Sequence, residues 1–189
     1  EYLSDTVFMY NATDATKISL RVKPVKVVKE ENPKNKVGRP KKGEIKEPKL
    51  PTILEQQQTM QTTQEMLALI STKCAVGIKQ NSKGNKEVWI GGKLHISAVD
   101  GDIPITAFYS GANVHDSSVA LPLINETSKR VNYFYDLQDA GYDSEIIRNF
   151  SKKLGHRAII DINPKNSKEL KEKIELQTQE QKKFKLLHL

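Results

Sequence analysis

Two apolar, strand-like runs each lead to an aspartate, and the two aspartates lie more than a hundred residues apart. The run Val7-Phe8-Met9-Tyr10 precedes Asp14, and the run Tyr133-Phe134-Tyr135 precedes Asp136 and Asp139. Side chains so distant in sequence meet only when the whole chain folds as one unit. A site that uses both runs would therefore be assembled by the fold and not by a local loop.

The segment between the two runs contains a predicted β-hairpin followed by a helix. Residues 86–99 and 103–110 are rich in β-branched and aromatic residues, and Asp100-Gly101-Asp102 between them is typical of a tight turn. Residues 116–129 have the pattern of a helix, with Asp116 as the expected N-cap. Pro122 should kink this helix or mark a late start.

The remainder of the chain alternates between strand and helix patterns. We expect a buried strand over 131–136, a helix that starts at Asp143 or Ser144 and ends at Gly155, a strand over 156–162 and a charged terminal helix from 167. The complete order is then strand, insertion, strand, strand, helix, strand, helix, strand.

An antiparallel hairpin followed by strand–helix alternation predicts an α/β fold, with a mixed sheet flanked by helices. This is the element order of the ribonuclease-H-like fold. In that fold the first and fourth strands are neighbours, which would bring Asp14 and Asp139 together.

The net charge of +7 is concentrated in one segment of the chain. Residues 21–50 contain eleven Lys/Arg and four Glu, so they carry the whole excess of positive charge. Residues 23–51 also contain five prolines and no aromatic residue, a composition that favours a long disordered insertion after the first strand. Residues 53–70 are expected to be helical.

We therefore divide the chain into four parts. These are the first strand region of a catalytic core (1–22), the basic Pro/Lys-rich insertion (23–65), the remainder of the core (66–165) and a truncated, charged C-terminal helix (166–189).

The insertion contains a Gly-Arg-Pro sequence centred on Arg39, which is the core of an AT-hook. An extended Arg-Pro backbone is narrow enough to enter the minor groove of A·T-rich DNA, where the negative potential attracts arginine. Lys36, Lys41 and Lys42 would add contacts to phosphates. The alternative is a solvated linker whose charge only keeps the chain soluble.

Asp14 and Asp139 are the candidate metal ligands. Phosphodiester cleavage by two divalent ions needs carboxylates that hold the ions about 3.5–4 Å apart, and Mg²⁺ (or Mn²⁺) prefers such hard oxygen ligands. Asp136 competes with Asp139 for the second position; we favour Asp139 because it lies where the strand passes into the next helix. The competing interpretation is that each aspartate is only a turn or cap residue.

Several other polar or aromatic residues are assigned structural roles. Asp116 and Asp143 are interpreted as caps, Asp100 and Asp102 as turn residues, and Trp89 as part of the core and not as a platform for base stacking.

Four short motifs carry a resemblance to a known family. They are Asp14-Ala-Thr before a Lys/Pro-rich insertion, Lys93-Leu94-His95 before Asp100-Gly101, Gly111-Ala-Asn-Val-His-Asp116-Ser, and Asp139-Ala-Gly-Tyr-Asp-Ser. In this order and spacing, over most of residues 10–165, the chain resembles the DDE transposases of bacterial insertion sequences.

The resemblance implies an enzyme that cuts DNA at the ends of a mobile element and joins the freed 3′-hydroxyls to target DNA. It places the family's first metal-binding aspartate on Asp14 and its second on Asp139. The family's third carboxylate is a glutamate on a later helix, in a Tyr…Arg…Glu setting that this chain lacks, so we expect a fragment that is inactive by itself.

The resemblance also implies DNA as the partner and a homo-oligomer of the full-length protein. We expect no membrane association and a cytoplasmic, nucleoid-associated location. The alternative function is a non-catalytic DNA-binding protein that acts through the basic insertion. A third possibility is another ribonuclease-H-like nuclease, such as a resolvase.

Overall fold

The computed structural model describes residues 6–24, 50–80, 84–164 and 167–187, the last segment with side chains as far as residue 180. In chain order the described elements are β1 (Val7–Ser19), α1 (Ile53–Gln57), α2 (Thr63–Ala68), β2 (Ala75–Gln80), β3 (Lys86–Val99), β4 (Ile103–Gly111), α3 (Ala120–Ser128), β5 (Asn132–Gln138), α4 (Glu145–Lys153), β6 (Arg157–Ile160) and α5 (Lys168–Leu187), with 3-10 turns at Asp116–Val119 and Ala140–Tyr142.

The described strands form one mixed sheet with β1 near its centre. β1 pairs with β3 antiparallel on one side and with β5 parallel on the other, and β6 extends the parallel half beyond β5. β3 also pairs with β4 through its second half and with β2 through its first half. This confirms the predicted α/β class and the adjacency of the first and fourth predicted strands, and the strand order is compatible with a ribonuclease-H-like fold.

The predicted hairpin between β3 and β4 is confirmed, and its turn has the required chemistry. Gly101 and Asp102 both have positive φ angles, 78° and 60°, a conformation that glycine adopts freely and that aspartate tolerates better than most residues. The carboxylate of Asp100 accepts hydrogen bonds from the backbone N–H groups of Met9 (2.6 Å) and Tyr10 (3.0 Å). The hairpin tip is thereby attached to the start of β1.

The helices α1 to α4 pack together over the sheet. Their shared core contains Met66 from α2, Leu121 and Ile124 from α3, and Ile147 and Phe150 from α4. These side chains follow the spacing that places apolar residues on one side of a helix. α3 packs against β3, β4 and β5, and α4 packs against β6. Of these elements, β5 precedes Asp139 and α4 follows it.

Residues 53–70 form two short helices where one was expected. α1 and α2 each begin with a capping box, built by Thr52 with Glu55 and by Thr62 with Glu65. These reciprocal side-chain bonds satisfy the free N–H groups at a helix start, so each box starts a new helix. Gln57 and Thr63 are buried, and the folded part of the chain therefore includes the described end of the 23–65 segment.

The region around α3 departs from the prediction in one respect. α3 begins only at Ala120, with Pro122 in its first turn, so the late start is confirmed. The prediction of Asp116 as the N-cap is wrong. His115 caps the preceding 3-10 turn, because the side chain of Asp116 is engaged by the Lys93 ammonium group instead.

Candidate functional site

Asp14 lies inside β1. The sequence had suggested a position at the end of the strand. The parallel pairing of β1 with β5 stops at Ala12, but β1 continues to Ser19 because β3 remains its partner on the other side. Asp14 therefore occupies the stretch of β1 that has lost its neighbour on the β5 side. Its side chain is exposed, and Oδ1 accepts a hydrogen bond from the N–H of Ala15 at 2.7 Å.

Asp139 directly follows β5 and caps the 3-10 turn that leads toward α4. Its Oδ1 accepts a hydrogen bond from the N–H of Gly141 at 2.9 Å. Ala12 pairs with Leu137, so the positions two residues further along the two parallel strands are Asp14 and Asp139. The two predicted metal ligands therefore occupy equivalent positions at the carboxyl-terminal side of neighbouring strands.

A third carboxylate, that of Asp116, belongs to the same region. The ammonium group of Lys93 lies 2.8 Å from Asp116 Oδ1 and donates to the carbonyl oxygen of Val114 at 2.9 Å. Lys93 is only 16% exposed, so this ion pair is better shielded from water than most surface pairs. Sequence reasoning missed the role of Asp116 because an aspartate before a helix usually caps it.

The buried phenol of Tyr142 lies within electrostatic range of all three aspartates. Burial raises the pKa of Tyr142, and the charges of Asp116, Asp14 and Asp139 raise it further. The side chain is 1% exposed, and within the described ranges its hydroxyl has no hydrogen-bond partner. Tyr142 thus remains protonated at neutral pH, and three carboxylates act on it electrostatically.

His95 is the second buried group that senses these charges. Burial lowers the pKa of His95 to about 4, with Asp116 and Asp14 acting against the shift and Lys93 adding to it. Its Nε2 lies 2.8 Å from the hydroxyl of Ser110. The imidazole is therefore neutral near pH 7, and Lys93 is the positive group in contact with Asp116.

Asp136, the alternative second ligand, has a different environment. It is completely buried on β5 and accepts a hydrogen bond from Asn11 Nδ2 at 3.2 Å. Burial raises the pKa of Asp136, and the nearby polar groups of Ser151, Asn11 and Tyr133 partly oppose this. Asn11 continues the network to Ser97, which accepts from Thr127 at 2.9 Å. Of the two candidates, only Asp139 has a carboxylate that is open to solvent.

The donor set fits a hard divalent cation in part. Asp14 and Asp139 each use Oδ1 for a backbone N–H, and both side chains are exposed. Carboxylate oxygens of this kind are what Mg²⁺ and Mn²⁺ accept. Among the described residues, however, no three His, Cys, Asp or Glu side chains already form a group able to hold a metal.

The predicted DNA-contacting residues Lys36, Arg39, Lys41 and Lys42 lie outside the described residues. Comparison of the chain with protein-family models, with curated proteins and with solved structures gives no match. None of the helices in the described ranges is long and apolar enough to cross a membrane.

Proposed function

We propose that this chain is the catalytic core of a DNA transposase, built on a ribonuclease-H-like sheet, for metal-dependent cleavage and transfer of DNA strands. The observation that carries the proposal is the register of β1 and β5, whose last pair, Ala12 with Leu137, lies two residues before Asp14 on one strand and two residues before Asp139 on the other. The electrostatic effect of both aspartates on Tyr142 supports the same convergence.

Asp14 and Asp139 are the residues that would hold Mg²⁺ or Mn²⁺. When bound, such an ion supplies Lewis-acid activation of a phosphodiester and of the attacking oxygen. Both carboxylates are exposed, so they are accessible to a cation and to a nucleic-acid strand. Asp136 is reserved for the buried network that holds β5 against β1, since its carboxylate has no access to solvent.

The neighbouring residues define the charge of the site. Lys93 neutralises Asp116, so Asp14 and Asp139 are the carboxylates whose charge is left for a cation. The family resemblance implies a glutamate as a third ligand. Because the described residues around Asp14 and Asp139 include no such glutamate, we propose that this chain by itself binds metal weakly and cuts DNA poorly.

The remaining parts of the proposal concern partners and location. DNA would be the substrate, held in part by the basic segment around Arg39, and the complete transposase would act as a homo-oligomer associated with the nucleoid. The charge distribution supports the DNA contact, because residues 21–50 alone carry the net positive charge.

Iron-directed hydroxyl-radical cleavage tests whether metal and DNA share this site. Fe²⁺ would replace Mg²⁺ in the complex of the chain with a short DNA duplex, and ascorbate and peroxide would start the reaction. We expect protein cuts near residues 14 and 139 and a discrete cut in the DNA. All of these cuts should be lost in Asp14→Asn and Asp139→Asn.

The matched control is Asp102→Asn, which changes an exposed aspartate in the hairpin turn and should leave every cut in place. Diffuse DNA cleavage that is the same in all variants would contradict the proposal. It would favour a non-catalytic DNA-binding protein.

A further inference from the structure

A cleft of about 430 Å³ lies beside Asp14, on the side away from Asp139 and toward β2. Its walls are the second half of β1, the paired strands β2 and β3, and Asp116. Those of its lining residues that carry the argument are Asp14, Lys17, Lys79, Glu87, Trp89 and Lys93. The volume is within the range of about 300–1,000 Å³ that small-molecule sites have.

The lysines of this cleft come from three different strands, and Glu87 is an ion-pair partner of one of them and the cross-strand neighbour of another. Lys17 forms an ion pair with Glu87, and both side chains are nearly half exposed. Lys79 stands opposite Glu87 in the β2–β3 register, yet it makes no ion pair with any described residue. Lys79 is therefore the cleft's available positive charge, and Lys17 is a second one that a stronger anion could recruit.

Trp89 forms the apolar wall of the cleft. The indole covers Gly77, where a Cβ atom would come within 2.4 Å of the ring, and its Nε1 donates to the carbonyl oxygen of Gly92. Trp89 is 7% exposed, so it is a core residue as predicted, but the surface that it keeps lines the cleft. It is also the only tryptophan in the chain.

We propose that this cleft binds one nucleotide of a nucleic-acid strand, with its phosphate at Lys79 and Lys17 and its sugar or base against the edge of Trp89. The inference rests on the proposed function, because Asp14 lines both the cleft and the candidate metal site. A nucleotide seated here would continue into a phosphodiester next to Asp14. The cleft would thus position the strand that is to be cut.

The Lys79 ammonium, which has no ion-pair partner among the described residues, favours a phosphate over a neutral ligand at this position. The ammonium of Lys79 is exposed and ready to donate, and phosphate oxygens are strong acceptors for charged donors. The mixed wall of lysine and indole is the usual composition of sites for single strands, which combine phosphate contacts with an aromatic surface.

Fluorescence of Trp89 tests the proposal directly. The full chain would be titrated with a 5′-phosphorylated thymidine dinucleotide in EDTA, so that no divalent metal takes part. We expect a saturable change in emission for the wild type. Lys79→Ala should bind about tenfold more weakly, as the loss of one charge-assisted hydrogen bond predicts. The salt dependence of binding to this variant should be smaller by about one phosphate contact.

Two further variants make the test selective. Glu87→Gln releases Lys17 from its ion pair and removes a negative charge beside Lys79, so it should tighten binding. Lys153→Ala removes one exposed positive charge at the end of α4, away from the cleft, and should leave the affinity unchanged. No saturable change in emission, or equal weakening by Lys79→Ala and Lys153→Ala, would overturn the proposal.

The dinucleotide is too short to report on the basic segment and needs no metal. A failed titration would therefore refute nucleotide binding in the cleft, and the metal site would still be decided by its own test. Conversely, a negative result for metal binding would not contradict a positive fluorescence titration.

Discussion

At the scale of single residues, His95 illustrates how the site shapes the stability of the fold. The imidazole is fully buried and neutral, with its pKa lowered to about 4, while the unfolded chain would titrate near 6.5. Protonation therefore favours the unfolded chain. The stabilising contribution of neutral His95 is complete above pH 6.5 and is lost as the pH falls from 6.5 toward 4.

The first prediction follows from that sign. Between pH 6.5 and pH 4 the free energy of unfolding should fall by about 2 to 3 kcal/mol because of His95 alone. His95→Gln keeps a polar group near Ser110 but cannot titrate, so it should flatten this part of the profile. Urea unfolding at a series of pH values measures the effect.

His115→Gln serves as the control for this measurement, since His115 is exposed and its removal should preserve the fall. An unchanged profile in His95→Gln would show that other groups cause the acid sensitivity.

The second prediction concerns Asp136. Its pKa is raised and not lowered, so its contribution to stability is lost as the pH rises, the reverse of His95. Burial raises the pKa of Asp136 above 3.8, so the protonated carboxyl is favoured in the folded chain. Its contribution is present below pH 3.8 and is lost as the pH rises through the raised pKa. Asp136→Asn, a neutral side chain of the same shape, should therefore unfold at a higher temperature than the wild type at pH 7.

Asp139→Asn is the matched comparison for thermal unfolding, because Asp139 is exposed and its neutralisation should shift the unfolding temperature little. A lower unfolding temperature for Asp136→Asn would mean that Asp136 is ionised and that its charge is needed by Asn11, Ser151 and Tyr133.

At the scale of elements, the pairing of β1 with β3 depends on one glycine. Gly91 has a φ angle of +151°, and a Cβ atom there would lie 2.0 Å from the backbone oxygen of Ile18. The clash is with backbone and cannot be relieved by turning a side chain. Because this pairing holds the second half of β1, Gly91 also supports the position of Asp14.

The third prediction compares Gly91 with Gly155, the residue that ends α4. Gly91→Ala should destabilise the fold by about 3 kcal/mol or more, because both the φ angle and the close approach oppose a side chain. Gly155→Ala has an unfavourable φ angle but open space around it, so it should cost only about 1 kcal/mol. Chemical denaturation of both variants checks the difference, and equal losses would contradict it.

The elements show which features a sequence can predict. The β3–β4 hairpin was predictable because Asp100-Gly101-Asp102 demands a turn between two long β-rich runs. β2 was missed because its six residues include a glycine and show only a short alternation of apolar and polar residues. The hydrogen-bonded pairing with β3 stabilises this segment as a strand. Residues 53–70 form two helices and not one because a second capping box, Thr62 with Glu65, starts a new helix inside this polar segment.

The candidate site was predictable to the same degree. The placement of Asp14 and Asp139 followed from strand order, which is a property of topology. The Lys93–Asp116 pair, the buried Asp136 and the position of Tyr142 depend on which side chains meet after packing, and no local pattern encodes that. The exact point where β1 ends also depended on β3, a partner some eighty residues away.

At the scale of the whole molecule, the chain combines a folded α/β unit with a basic segment that carries the excess charge. The carboxylates lie where the parallel and antiparallel halves of the sheet meet, with the lysine-lined cleft next to them. In the proposed function the carboxylates of Asp14 and Asp139 bind the metal, and the cleft binds the DNA strand. The basic segment would add contacts to DNA that depend on salt.

The most direct test of the central claim is calorimetric titration of the purified chain with Mg²⁺ and with Mn²⁺. The claim is that Asp14 and Asp139 form one site. We predict saturable binding in the wild type and in Asp102→Asn, and its loss in both Asp14→Asn and Asp139→Asn. Binding that is unchanged in these two variants, or lost in only one of them, would contradict a shared site and the transposase core that depends on it.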